Sequence, residues 1–94
     1  DPGIGFGKRR RDNLAILRHL RVLASLGRPI LVGASRKSFL KGPSDSPPDE
    51  RLEASLAAET LAILGGADII RAHDVKEAVR VAALCDAVLR DPRP

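Results

Sequence analysis

Pro29-Ile30-Leu31-Val32-Gly33-Ala34-Ser35-Arg36-Lys37-Ser38 is the stretch that decides the fold. Its first half is a short, unbroken apolar run between Gly27 and Gly33, as expected of a strand covered on both faces, and such strands pair in parallel. Its second half turns polar and basic, so chemistry begins where the strand stops. Upstream, Ile16, Leu17, Leu20, Leu23 and Ala24 share one face of a helix predicted over residues 12–26. Asp12 is its expected cap and Gly27 its stop, with Arg18 and Arg21 on the wet side. Downstream, residues 34–48 form a loop rich in Pro and Ser, too long for a simple connection and therefore expected to be functional or mobile. A second helix is predicted over 49–64, with Leu52, Leu56, Thr60 and Ile63 on one face, a capped start around Ser46-Pro47-Asp49 and a stop at Gly65-Gly66. Residues 68–72 read as another short strand. Asp74, with Glu77 three positions on, gives a capping-box start to a last helix reaching about Leu89, and residues 91–94 should fray.

Strand and helix thus alternate, with a first strand expected to end just before Asp1, and this order specifies an α/β fold with a parallel sheet. An open doubly wound sheet and a closed eight-stranded barrel both satisfy it. The chain opens on Asp1 and contains no methionine, so it reads as a fragment.

Composition narrows the function classes. Hydrophobic residues make up 44% and charged residues 30%, the balance of a globular protein with a packed core. A net charge of +4 favours anionic ligands in general. Nucleic acid is disfavoured: Phe6 and Phe39 are the only aromatics, too few to interleave with the basic residues as a stacking platform. No apolar stretch is long enough to span a membrane. The single Cys85 cannot form an internal disulfide, which suits a reducing, cytoplasmic setting, and its place on an apolar helical pattern reads as a small core residue.

Three polar motifs follow the three strand ends. Asp1-Pro2-Gly3-Ile4-Gly5-Phe6-Gly7-Lys8 alternates glycines so that backbone can approach a ligand closely, yet it fits neither the Walker nor the dinucleotide pattern, and a flexible linker is the bland alternative. Ser35-Arg36-Lys37-Ser38 offers two cations and two hydroxyls, suited to an anion; by itself it could equally be a solvated basic patch or a kinase target. Arg71-Ala72-His73-Asp74 is sharper, because strand alternation puts Arg71 and His73 on one side, opposite Ala72. A guanidinium fork and an imidazole beside a helix start suit phosphate or diphosphate, with Asp74 assigned to capping that helix. The competing structural reading pairs Arg71 with Asp68 or Asp74 and leaves His73 as packing. Lys8-Arg9-Arg10-Arg11 reads as a wet helix start.

Taken together, Asp1–Lys8, Val32-Gly33-Ala34-Ser35-Arg36-Lys37-Ser38-Phe39 and Ile70-Arg71-Ala72-His73-Asp74-Val75 strongly resemble the dihydropteroate synthase family in order and spacing. Departures are small: Ala72 stands where a larger aliphatic is common, and Lys41 precedes Gly42 in a loop rich in Pro and Ser. The resemblance implies a (β/α)8 TIM barrel of which residues 1–94 are the C-terminal three units, strands six to eight with their helices, an incomplete barrel by themselves. It implies a transferase in which p-aminobenzoate displaces diphosphate from 6-hydroxymethyl-7,8-dihydropterin diphosphate, a folate-pathway reaction that sulfonamides block. By motif position, Asp1, Lys37 and Arg71 would hold the pterin; Ser35, Gly5 and Phe6 would line the p-aminobenzoate side; Arg71 and His73 would bind diphosphate. Lys37, Arg71 and His73 are the candidate catalytic residues. Magnesium is implied as a cofactor with ligands outside this chain, and the full-length protein is expected to be a homodimer, without nucleic-acid or membrane partners.

Overall fold

In the computed structural model, which describes residues 1–5, 9–37, 40, 47 and 51–90, helices flank a two-stranded parallel sheet. The elements are α1 (Arg10–Arg18), α2 (Leu20–Ala24), β1 (Leu31–Val32), α3 (Leu52–Leu64), β2 (Ile69–Ile70) and α4 (Val75–Leu89). β1 and β2 pair in parallel, Leu31 opposite Ile69 and Val32 opposite Ile70. The ladder reaches slightly beyond them: Asp68 and Ile69 N–H donate to the Ile30 carbonyl at 2.9 and 3.1 Å, and Arg71 N–H to that of Val32 at 2.9 Å. Both strands fall inside their predicted ranges and are shorter, since only residues facing the other strand join the ladder. Asp68 closes its lower end by accepting the Ile30 N–H at 3.0 Å.

The core lies between sheet and helices. Ile4, Leu17, Leu20, Ile30, Val32, Ala34, Ala58, Ala62 and Ala67 form one buried cluster. α3 is the central helix, packed between α1 and α4. Of the predicted face Leu52, Leu56, Thr60 and Ile63, Ile63 is buried and the others are half-buried, and the further inward positions are Ser55, Ala58, Glu59 and Ala62. The difference has a steric cause: small side chains let α3 approach the core closely, while Leu52 and Leu56 stay half-buried and Leu61 and Leu64 exposed.

The first predicted helix differs from expectation in two respects. The first helix begins at Arg10, and Asp12 sits in its first turn, where its carboxylate accepts the Arg9 N–H at 3.3 Å. An acidic group there serves the helix by reaching back and by facing the positive end of the dipole. The predicted single helix 12–26 also breaks at His19 (φ −110°, ψ 21°). Beyond the break α2 docks on the turn after α3: Arg21 Nη2 donates to the Leu64 carbonyl at 2.6 Å, and Cβ atoms added at Gly65 and Gly66 would meet Leu20 and Ala24 at 2.9 Å each. The expected capped start around Ser46 and Asp49 lies outside the described residues. No helix among the described residues is long and apolar enough to cross a membrane. Cys85, expected in the core, is half-buried on α4, which contributes no fully buried residue.

Candidate functional site

β1 and β2 run in the same direction, so the segments that follow them emerge at one end of the sheet. There Gly33, Ser35, Arg36, Lys37, Arg71 and His73 line a cleft of about 260 Å³. Three larger grooves, about 460, 520 and 340 Å³, lie against α4, between α1 and α3, and along α1 and α2, lined mainly by Ala, Val, Ile and Leu. Polar groups converge at the smaller cleft, so it is the candidate site.

Ser35 is buried and joins the two segments. Its Oγ accepts the backbone N–H of His73 at 3.1 Å and lies 3.1 Å from His73 Nδ1. A hydroxyl has one proton and two lone pairs, so Ser35 can pair with Nδ1 in either ring tautomer while accepting that N–H, and Nε2 is the ring nitrogen not engaged by Ser35. Lys37 donates from Nζ to the Ile4 carbonyl. Its side chain crosses Gly5, where an added Cβ would come within 2.7 Å of Lys37 Cδ, and its Nζ passes 3.9 Å from the Cβ position of Gly33. Gly33 is also covered by Arg71, whose Cβ and Cδ lie 3.6 and 3.7 Å from that position. Glycine at 5 thus lets Lys37 lie on the backbone, with its φ of +87° a second reason for glycine, whereas the contacts at Gly33 are of ordinary van der Waals length.

The cleft assembles Ser35, Lys37, Arg71 and His73, with Gly5 under the lysine. Asp1 is not among its lining residues. Its Oδ1 accepts the Gly3 N–H at 2.8 Å, and it borders a separate groove with Pro2, Leu23, Leu26, Arg28, Pro29 and Ile30. Of the residues expected to hold the pterin and diphosphate, Lys37, Arg71 and His73 line this cleft and Asp1 borders the neighbouring groove. Phe6 and Ser38 lie outside the described residues. Arg71 is exposed and forms no ion pair among the described residues, so the bland pairing with Asp68 or Asp74 does not occur.

Asp74 departs from the capping role expected of it. It occupies the position before α4, yet its carboxylate makes no side-chain cap hydrogen bond. It receives Arg36 instead, Nη2 to Oδ1 at 2.8 Å and Nε to Oδ2 at 3.4 Å. The Arg36 hydrogen bond holds the Asp74 carboxyl below the ordinary carboxylate range, against an upward push from burial. The pair therefore stabilises the fold above that range and is lost as pH falls through the depressed value. Sequence reasoning missed it because a local cap competes with a partner 38 residues away.

Beneath this pair lies Glu59, 3% exposed, whose Oε2 finds no hydrogen-bond partner among the described residues. Burial raises its carboxyl above the ordinary value, and the charge of Asp74 raises it further. A raised acid binds its proton more tightly folded than unfolded, so stability falls as pH rises from the ordinary value through the raised one. Glu59→Gln is expected to stabilise the chain by about 1 kcal/mol at pH 8 and by less at pH 5. Thermal melts at the two pH values check this, and a gain that does not grow with pH counts against it.

No three His, Cys, Asp or Glu side chains come together as a candidate metal site among the described residues.

Parallel strands, flanking helices and a strand-end cleft lined by cations define a β/α protein whose polar groups gather at one end of the sheet. The match to the family model described as pterin binding enzyme, over residues 1–73, makes the class specific: the chain belongs to that family. It is 47% identical to the dihydropteroate synthase of Bacillus subtilis over 89 residues, 95% of this chain and 31% of that protein. Among solved structures it resembles the dihydropteroate synthase of Xanthomonas albilineans in complex with 7,8-dihydropteroate (TM-score 0.90, 41% identity, covering 98% of this chain and 36% of that one). It also resembles the Yersinia pestis dihydropteroate synthase in a sulfonamide drug complex (TM-score 0.87, 42% identity, 92% and 31%). The chain spans about a third of the length of these relatives.

Proposed function

We propose that residues 1–94 are the C-terminal part of the single pterin-binding barrel domain of a dihydropteroate synthase, about strands six to eight of a (β/α)8 barrel with their helices. The observation that carries the reading is the meeting of Lys37, Arg71, His73 and Ser35 at one strand-end cleft, in a chain similar over nearly its whole length to named synthases. In this reading the amine nitrogen of p-aminobenzoate attacks the exocyclic methylene carbon of 6-hydroxymethyl-7,8-dihydropterin diphosphate. A carbon–nitrogen bond forms, the carbon–oxygen bond breaks, diphosphate leaves with the bonding pair, and the amine loses a proton.

The nucleophile is a neutral amine near pH 7, so the demanding part is stabilising the departing diphosphate. Arg71 lies against the pterin plane and reaches the diphosphate with its fork, and His73 donates from Nε2 to the leaving oxygens. An ammonium carries three donors, so Lys37 anchored on Ile4 can also donate to the ring carbonyl and ring nitrogen. Ser35 and the Gly5–Phe6 backbone line the p-aminobenzoate side. Asp1 accepts ring N–H groups once its carboxylate turns from Gly3. Magnesium, held by residues beyond this chain, would add charge neutralisation at the diphosphate. A cytoplasmic homodimer without nucleic-acid or membrane partners completes the proposal.

Two assays test it. The full-length protein carrying this chain should form dihydropteroate from the two substrates and be inhibited by sulfonamides. The 94-residue chain alone should give no turnover, because one pair of strands cannot close a barrel. Robust activity of the isolated chain, or binding of labelled RNA in preference to pterin diphosphate, would refute the reading.

A further inference from the structure

Arg36 stands between two cleft residues, Ser35 and Lys37, and does so in the left-handed region at φ 57°, the one described non-glycine residue with positive φ. A bulky side chain persists there only where its surroundings hold it. Three contacts do so. The Arg36 N–H donates to Ser55 Oγ at 2.8 Å; Arg51 Nη1 donates to the Arg36 carbonyl at 2.6 Å; the guanidinium grips Asp74 through two nitrogens. Ser55 and Arg51 are buried, at 1% and 6% exposure, so two of the three anchors are fixed in the core at the start of α3. The third anchor, Asp74, immediately follows His73.

We infer that Arg36 and Asp74 are positioning residues: their ion pair fastens the segment bearing Ser35 and Lys37 to the segment bearing Arg71 and His73, and thereby sets the geometry of the cleft. Neither acts on substrate itself. The left-handed turn at Arg36 swings its side chain toward α4, and the grip on Asp74 keeps that carboxylate out of the cap position. The Ser35–His73 hydrogen bonds are the point where this alignment is read out, since they span the same two segments. The pair itself is partly exposed, with side chains at 33% and 23%, so it is a weak contributor to overall stability and well suited to fixing orientation.

The inference rests on the proposed synthase activity and is tested in the full-length protein with Arg36→Ala, Asp74→Ala, the double variant and Asp74→Glu. Each single alanine variant should lower kcat by about 10- to 100-fold while KM for p-aminobenzoate changes by less than threefold. The double variant should be no worse than the more damaging single one, because the two residues act as one unit. Asp74→Glu should recover a substantial part of kcat. Melting temperatures separate positioning from folding, and ring 15N shifts of His73 should move in the alanine variants, reporting altered contact with Ser35. Multiplicative losses in the double variant, or an unchanged kcat and His73 spectrum in folded single variants, would overturn the proposal. A wild-type protein with no synthase turnover would instead strike at the proposed function, and the His73 shifts would still decide whether the clamp aligns the cleft.

Discussion

Lys37→Ala in the full-length protein is expected to weaken pterin binding by about 100-fold or more while leaving the melting temperature within a few degrees of wild type. The loss follows from removing charge-assisted hydrogen bonds to a ligand, each worth roughly 1.5–3 kcal/mol, where ~1.4 kcal/mol is a factor of ten. Stability should hold because the side chain packs on glycine backbone at Gly5 and Gly33 and is half-buried. Removing it also releases the Ile4 carbonyl, which sits next to exposed Gly5 and can take water. Calorimetric titration with the pterin, alongside a thermal melt, checks both halves. An affinity within threefold of wild type would end the assignment of Lys37 to the ring.

Arg71→Ala should act on turnover more than on ground-state binding. A donor aimed at charge that develops on a leaving group typically contributes on the order of 10²–10³ to kcat. Arg71→Lys should recover little, since an ammonium offers neither the flat guanidinium face nor the paired donors. The residue is exposed and outside any ion pair among the described residues, so its loss should move stability by only about 0.5 kcal/mol. Steady-state kinetics together with product inhibition by diphosphate provide the check. A kcat within threefold of wild type, or full recovery by lysine, would remove Arg71 from the diphosphate role.

The strand-end placement of these residues was legible because its signal is local: an apolar run followed at once by a cationic, hydroxyl-bearing segment. Alternation likewise anticipated that Arg71 and His73 share the cleft, and both line it with Ser35 and Lys37. Choices between partners were less legible. Asp74 has the spacing of a cap, and nothing nearby in sequence reveals that Arg36 would take its carboxylate. The inward face of α3 was hidden for a different reason, since Leu, Ala and Ile occupy nearly every side of that helix and periodicity then selects none. Asp12 was misread because acidic residues suit both the cap and the first turn. Glu59 was not singled out at all; an acid within an apolar helix between Ala58 and Ala62 is the signal that marks it.

Helix α4 has a consequence of its own. It packs along α3 without a single fully buried residue and is tied at its beginning to Arg36. In the 94-residue chain by itself, little apolar burial means a low local opening free energy, so the α4 amides should be among the first in its helices to exchange with deuterium. Because His73 and Asp74 lead directly into it, a ligand seated in the cleft should slow that exchange, making α4 a built-in reporter of occupancy.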